Sequence, residues 1–188
     1  MRSKMLLPAL GFLFISIQCN NKHKHDYTPV KQNTPLVSAS RMSSAKTILE
    51  NIKTDSSYTL LDEALQSTGL IETLSQNGPF TIFAPTNESF RKLPPGIYES
   101  LTQSRKQDLA NILSYHIVAS SMKTKDLKDG EKLRTLAGEE LIITLRNDKM
   151  LVNGITIKNP DIESSNGIIF VIDDILFPRN QNAAVGAY

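Results

Sequence analysis

The sequence predicts an α+β domain, and three observations carry that reading. Apolar residues recur at helical spacing from Ile48 to Leu113, short β-type runs separated by turn dipeptides fill the last third, and a charged-then-apolar leader stands apart from both. Of the 188 residues, 40% are hydrophobic and 21% charged, an ordinary globular balance whose length suits one domain plus appendages. A single cysteine allows no internal disulfide, and 3 histidines leave little for a histidine-rich metal site. Stability must come from apolar burial, and no cofactor is expected.

Arg2 and Lys4 precede an uncharged, mostly apolar run from Met5 to Ile17, the n-region and h-region of a secretory signal peptide. The run is too short to span a bilayer, which takes about 20 residues. Cys19, the only cysteine, follows directly in SIQC. This resembles a bacterial lipoprotein signal, whose cysteine becomes the lipidated first residue of the mature protein; Gln18 stands where a small residue is usual. The expected organisation is a signal peptide at 1–18, a lipidated cysteine and tether at 19–44, a domain at 45–178 and a tail at 179–188. Residues 20–44 are polar, contain Pro29 and Pro35 and show no apolar period, so they read as a flexible tether. His23-Lys24-His25-Asp26 lies within it and lacks the rigid frame a metal site needs, so it reads as solvated linker. Loss of Arg2 and Lys4 with the leader would bring Lys+Arg from 21 to 19, equal to the 19 Asp+Glu. A neutral chain is a poor partner for nucleic acid, and the partner expected instead is a membrane, through the lipid.

Within the domain, Ser43 or Ser44 is expected to cap a helix carrying Ile48, Leu49 and Ile52. Ser56 or Ser57 would cap a second, with Leu60, Leu61, Ala64 and Leu65 on one face and Gly69 at its end. Leu70, Ile71 and Leu74 suggest a short third helix, stopped by Asn77-Gly78-Pro79 before a strand over Phe80–Ala84 that Pro85 closes. Thr86 or Asn87 would cap a brief helix bearing Phe90, and Leu93-Pro94-Pro95-Gly96 breaks the chain again. A further helix from about Ser104 presents Leu109, Ile112 and Leu113, then runs into Tyr115-His116-Ile117-Val118, whose composition favours a strand.

The last third reads as strands: Leu133–Leu136, Glu140–Leu145, Met150–Val152 and Ile155–Ile157, separated by Ala137-Gly138, Asn147-Asp148 and Asn153-Gly154. Asn-Gly predicts a type I′ hairpin, because both residues tolerate positive φ. Ser165-Asn166-Gly167 turns the chain into Ile168–Ile172, apolar at every position and so expected to be a central strand covered on both faces.

Five segments, TLLDEAL (Thr59–Leu65), GPFTIFAPTNESF (Gly78–Phe90), LSYHIV (Leu113–Val118), VNGITI (Val152–Ile157) and SNGIIFVID (Ser165–Asp173), together resemble the successive signatures of a fasciclin domain. The resemblance runs from about Ala45 to Phe177. It implies a helical layer packed on a wedge of mostly antiparallel β-strands. Phe170 stands where the family commonly has histidine, so any polar role of that histidine is absent.

No catalytic apparatus is visible. G-x-S-x-G, G-x-x-x-x-G-K-[ST] and H-E-x-x-H are all missing, and the one thiol lies at the leader. Glu139-Glu140 and Asp173-Asp174 are adjacent pairs whose members point to opposite faces of a strand, so they read as surface charge. Lys123, Lys125, Lys128 and Lys132 are interleaved with Asp126, Asp129 and Glu131, a mixed solvated loop.

The resemblance also marks Tyr115-His116, flanked by Leu113 and Ile117. In some animal relatives this segment is associated with integrin-dependent adhesion. Placed between a core helix and a core strand, His116 is instead expected to be hydrogen-bonded inside the fold. The resemblance implies a non-enzymatic binding or adhesion protein of the cell envelope, at the outer membrane or cell surface, whose partner is a surface protein or polysaccharide. The alternative is a receptor for a small apolar or glycan ligand. The absence of Trp weakens the glycan version, which an exposed patch of Tyr27, Tyr58, Tyr98 or Tyr188 would restore.

Overall fold

A computed structural model describes residues 42–179. Cys19, His23 to Asp26, Tyr27 and Tyr188 lie outside the described residues.

Helices α1 (Ile48–Thr54), α2 (Thr59–Thr68), α3 (Leu70–Leu74), α4 (Asn87–Arg91), α5 (Ile97–Gln103) and α6 (Lys106–Tyr115) form one layer. Strands β1 (Phe80–Pro85), β2 (Ile117–Val118), β3 (Lys132–Arg134), β4 (Glu140–Arg146), β5 (Lys149–Val152), β6 (Ile155–Ser164) and β7 (Gly167–Ile172) form a sheet in the order β2-β1-β7-β6-β5-β4-β3. Only β1 and β7 run parallel; every other pairing is antiparallel. This is the α+β wedge the sequence predicts.

β7 sits at the centre because it can be buried on both faces. Ile169 and Val171 join the helices in one apolar cluster with Leu61, Leu65, Leu109 and Leu113. Ile168, Phe170 and Ile172 join a second cluster with Phe83, Leu141, Ile143 and Val152, inside the curl of the sheet. That curl is tight enough for the two edge strands to meet. Val118 bridges Thr135, and Leu136 N–H donates to the Ile117 carbonyl at 2.8 Å.

Several expectations about element ends are corrected. The cap of α1 is Thr47, not Ser43 or Ser44: its hydroxyl accepts from Glu50 N–H while the Glu50 carboxylate accepts from Thr47 N–H, a complete capping box. Ser56–Tyr58 form a 3-10 turn, and α2 starts at Thr59 with no cap of its own. Asn87 serves it from a distance, accepting Leu60 N–H at 3.0 Å and donating to Ser56 O and Thr59 Oγ1. α5 lies where no helix was expected, and α6 begins at Lys106, beyond Ser104. Tyr115 closes α6 and His116 is its C-cap in αR geometry, so the strand starts only at Ile117. β6 continues through Pro160 to Ser164, with register shifts around Asn159 and with Asp161 at φ 57°.

Candidate functional site

The Tyr115-His116 segment is enclosed. Leu113, Tyr115, His116 and Ile117 are each 2% exposed or less. The end of α6 delivers the Tyr115 side chain between β4 and the β5–β6 turn, where its hydroxyl donates to Glu140 O at 3.1 Å and accepts from Asn153 Nδ2 at 2.8 Å. Burial raises the pKa of this phenol. His116 Nδ1 lies 2.7 Å from Ile112 O, and Nε2 accepts Leu176 N–H at 3.0 Å. The second bond fixes the tautomer: Nδ1 carries the proton and donates to Ile112. Burial pushes the imidazole pKa down to about 4, against the opposing pull of the Ile112 carbonyl. Both polar groups are consumed by the fold, and neither side chain is presented to a partner.

The adjacent carboxylates do not converge. Asp173 pairs with Lys158 at 3.2 Å, Asp174 with Lys92 at 3.7 Å and Glu140 with Lys132 at 3.2 Å, while Glu139 accepts Arg179 N–H at 3.3 Å. Among the described residues no group of three His, Cys, Asp or Glu is placed to hold a metal ion, and no helix is long and apolar enough to cross a membrane. Tyr58 is buried, and Tyr98 is half-buried with its hydroxyl donating to Leu60 O at 2.9 Å. They form no exposed aromatic patch.

Among the described residues, concave surface with apolar side chains in its lining lies at two places, apart from a polar hollow of about 360 Å³ at Ser56, Thr86 and Asn87. A cleft of about 470 Å³ runs between α2, α4 and α5, walled by Leu60, Phe90, Leu93 and Tyr98, with the Phe90 and Tyr98 rings edge to face at 5.4 Å. A second groove of about 470 Å³ opens at the seam of the curled sheet, between Ala119–Met122 and Glu131–Leu136. Leu136, 38% exposed, is one of two large apolar side chains left in solvent among the described residues.

The seam opens for a specific reason. Beyond the Val118–Thr135 bridge, the buried Thr81 hydroxyl donates to Ser120 O at 2.6 Å and accepts Met122 N–H at 3.1 Å. This turns the 120–122 backbone toward β1 and away from β3. On the other wall, Ile143 N–H bonds Glu131 O and Thr135 N–H bonds Glu139 O, with Leu133 opposite Leu141 between them. Antiparallel alternation then directs the N–H and C=O of Lys132 and the N–H of Arg134 outward, into the groove. This surface is only faintly marked in the sequence. Its only local signal is the exposed-buried-exposed pattern of Lys132-Leu133-Arg134.

The family model of the fasciclin domain matches residues 56–178. The chain belongs to the fasciclin-domain family. It is 38% identical over 148 residues to Protein sll1483 of Synechocystis sp., covering 78% of this chain and 82% of that one. To the transforming growth factor-beta-induced protein ig-h3 of Sus scrofa it is 36% identical over 132 residues, 70% of this chain and 19% of that protein. To the cell surface glycolipoprotein MPB83 of Mycobacterium bovis it is 33% identical over 112 residues, 60% of this chain and 49% of that protein. The chain thus spans about a fifth of ig-h3 and about half of MPB83. A FAS1 domain pair from the insect cell adhesion molecule Fasciclin I superposes with a TM-score of 0.65 at 21% identity, over 74% of this chain and 52% of that one, a likeness of fold. In this fasciclin domain Phe170 is fully buried, its ring 5.5 Å from that of Phe83, so an apolar pair fills the wedge where a histidine would need polar partners.

Proposed function

We propose that this fasciclin domain is a non-enzymatic extracytoplasmic binding protein, acting in adhesion or in attachment of surface components and held at a membrane by lipidated Cys19. The observation that carries the reading is where its polar and apolar groups go. The hydrogen-bonding side chains of the marked Tyr115-His116 segment are spent inside the fold, whereas the seam groove sets the Leu136 side chain and unladdered backbone at the surface. Relatives named for the cell surface support it, as does the position of Cys19 directly after an apolar h-region. Lipidation is tested by Cys19→Ala, which is expected to release the protein from the membrane fraction and abolish fatty-acid labelling. Retained labelling would sink the anchor.

A receptor for a small apolar or glycan ligand is the second reading, and the edge-to-face Phe90–Tyr98 pair on the α4–α5 cleft favours it. Pull-down with the tethered and soluble forms separates the two. Capture of a surface protein or polysaccharide that Leu136→Asp weakens supports the groove, and capture that Tyr98→Ala weakens supports the cleft.

A further inference from the structure

We propose that the seam groove receives an extended acidic segment of a partner protein, which adds as a short strand along the outward edge of β3. This names the partner class for the binding function proposed above and rests on that reading.

The edge has the parts that strand addition needs. Lys132 presents both its N–H and its C=O outward, Arg134 presents its N–H, and neither is claimed by β4. The opposite wall cannot satisfy them, because Thr81 holds Ser120 and Met122 toward β1. Between the walls lie about 470 Å³, the scale of a peptide or small-ligand site. Val118 and Leu133 form its buried floor, while exposed Leu136 and part-buried Met122 offer apolar contact to side chains of an incoming strand.

Charge selects the occupant. Arg134 is exposed and makes no ion pair or side-chain hydrogen bond within the described residues. Lys132 reaches Glu140 at 3.2 Å with both side chains more than half exposed, a pair too solvated to neutralise it firmly. The one acidic residue lining the groove, Glu131, has its carboxylate turned back to accept Lys128 N–H at 2.7 Å. A second copy is disfavoured by register: antiparallel pairing of two β3 edges centred on Leu133 sets Lys132 opposite Arg134 of the other copy, cation against cation. Residues 180–188 of the chain itself, NQNAAVGAY, have no acidic side chain to meet either cation.

The test uses the isotopically labelled full chain and an acetylated, amidated peptide of alternating Asp and Val, with a Lys-Val peptide as control. The acidic peptide is expected to bind with amide shifts centred on residues 119–122 and 131–136. It should slow hydrogen exchange of the Lys132 and Arg134 amides at least tenfold, while the Lys-Val peptide leaves them unchanged. Arg134→Glu should weaken acidic-peptide binding about tenfold. Lys132→Pro deletes an outward N–H that the β3–β4 ladder does not use, and should abolish binding, whereas Lys132→Gln, which keeps that N–H, should only weaken it. Shifts mapping to the α4–α5 cleft, equal binding of both peptides, or full binding by Arg134→Glu would each overturn the proposal. So would a chain ending at Arg179 that binds where the full chain does not, since the tail would then be the occupant. Envelope fractionation of the full chain is run alongside. A chain at the envelope with an inert groove refutes the strand-addition proposal alone, and an active groove on a chain absent from the envelope refutes the surface function alone.

Discussion

His116 Nε2 accepts the backbone N–H of Leu176 at 3.0 Å, joining residues 60 positions apart at the end of α6 and beyond β7. The bond needs the neutral ring, and so does the 99%-enclosed site around it. His116→Ala should therefore destabilise the domain by about 1 to 3 kcal/mol, measured by chemical denaturation, because it leaves the Ile112 carbonyl and the Leu176 amide without partners. The pH dependence follows from the same geometry. The folded-state pKa, near 4, lies below the unfolded value of about 6.5, so stability is fully present above about pH 6.5 and is lost as pH falls toward 4. The loss from this residue alone reaches about 3 kcal/mol. His116→Gln should flatten that slope between pH 6.5 and 4.5; an unchanged slope would assign it to other groups.

Asn166 is the other long-range polar clamp. Its Oδ1 accepts Ile48 N–H at 2.9 Å, and its Nδ2 donates to Leu74 O at 2.8 Å and Gln76 O at 3.0 Å, so one side chain serves the start of α1 and the end of α3. Asn166→Ala is expected to lower stability by about 3 kcal/mol, and Asn166→Asp, which loses the donors but keeps the acceptor, by a comparable amount. Equilibrium urea denaturation measures both, and a loss under about 0.5 kcal/mol would mean that water replaces the clamp.

Two glycines are required for different reasons, and their variants should differ accordingly. Gly154 lies at φ 84° in the β5–β6 turn with open space where a Cβ would go, so Gly154→Val introduces backbone strain only, about 1 to 2 kcal/mol. Gly154→Asn should recover most of it, since Asn tolerates that region. Gly167 faces Phe80 across the parallel β1–β7 pair, and a Cβ there would stand 2.0 Å from the Phe80 carbonyl oxygen. No side-chain choice relieves that contact. Gly167→Ala should lower the melting temperature further than Gly154→Val, and the reverse order would contradict the β1–β7 register.

The elements legible in the sequence are those whose cause is local. Asn153-Gly154, Gly69 as the end of α2 and the uninterrupted Ile168–Ile172 run each carry their own conformational or burial requirement. The Thr47-to-Glu50 capping box is equally local, but Ser43 and Ser44 just before it offer competing cap residues of the same type. Other features depend on residues far away in sequence. α2 is capped by Asn87, 27 positions from Leu60, and no helix-start rule sees that. α5 follows Pro94-Pro95-Gly96, whose punctuation reads as loop, and is held as a helix by Leu101 and Tyr98 packing on the layer. Tyr115 has strand-type composition but ends a helix because its hydroxyl is anchored to Glu140 O and Asn153. The seam groove was illegible for the same reason: it exists where two strands at opposite ends of the sheet order meet.

The opening of that groove depends on one hydroxyl, Oγ1 of Thr81. Thr81 is fully buried in β1, and its Oγ1 both donates to Ser120 O and accepts Met122 N–H. Without it, the 120–122 backbone has two unsatisfied groups and no reason to bend from the outward edge of β3. Thr81→Val keeps the shape and deletes the hydroxyl, so it should cost about 1 to 3 kcal/mol in global stability. Thr81→Ser, which restores the donor and acceptor, should recover most of the hydrogen-bond contribution and lose only a methyl group. The discriminating readout is local: the Met122 amide should exchange faster in Thr81→Val by more than the global destabilisation accounts for, and Thr81→Ser should reverse this. If Met122 exchange merely tracks global stability in both variants, the hydroxyl is a core hydrogen bond and no more, and the opening of the seam has another cause.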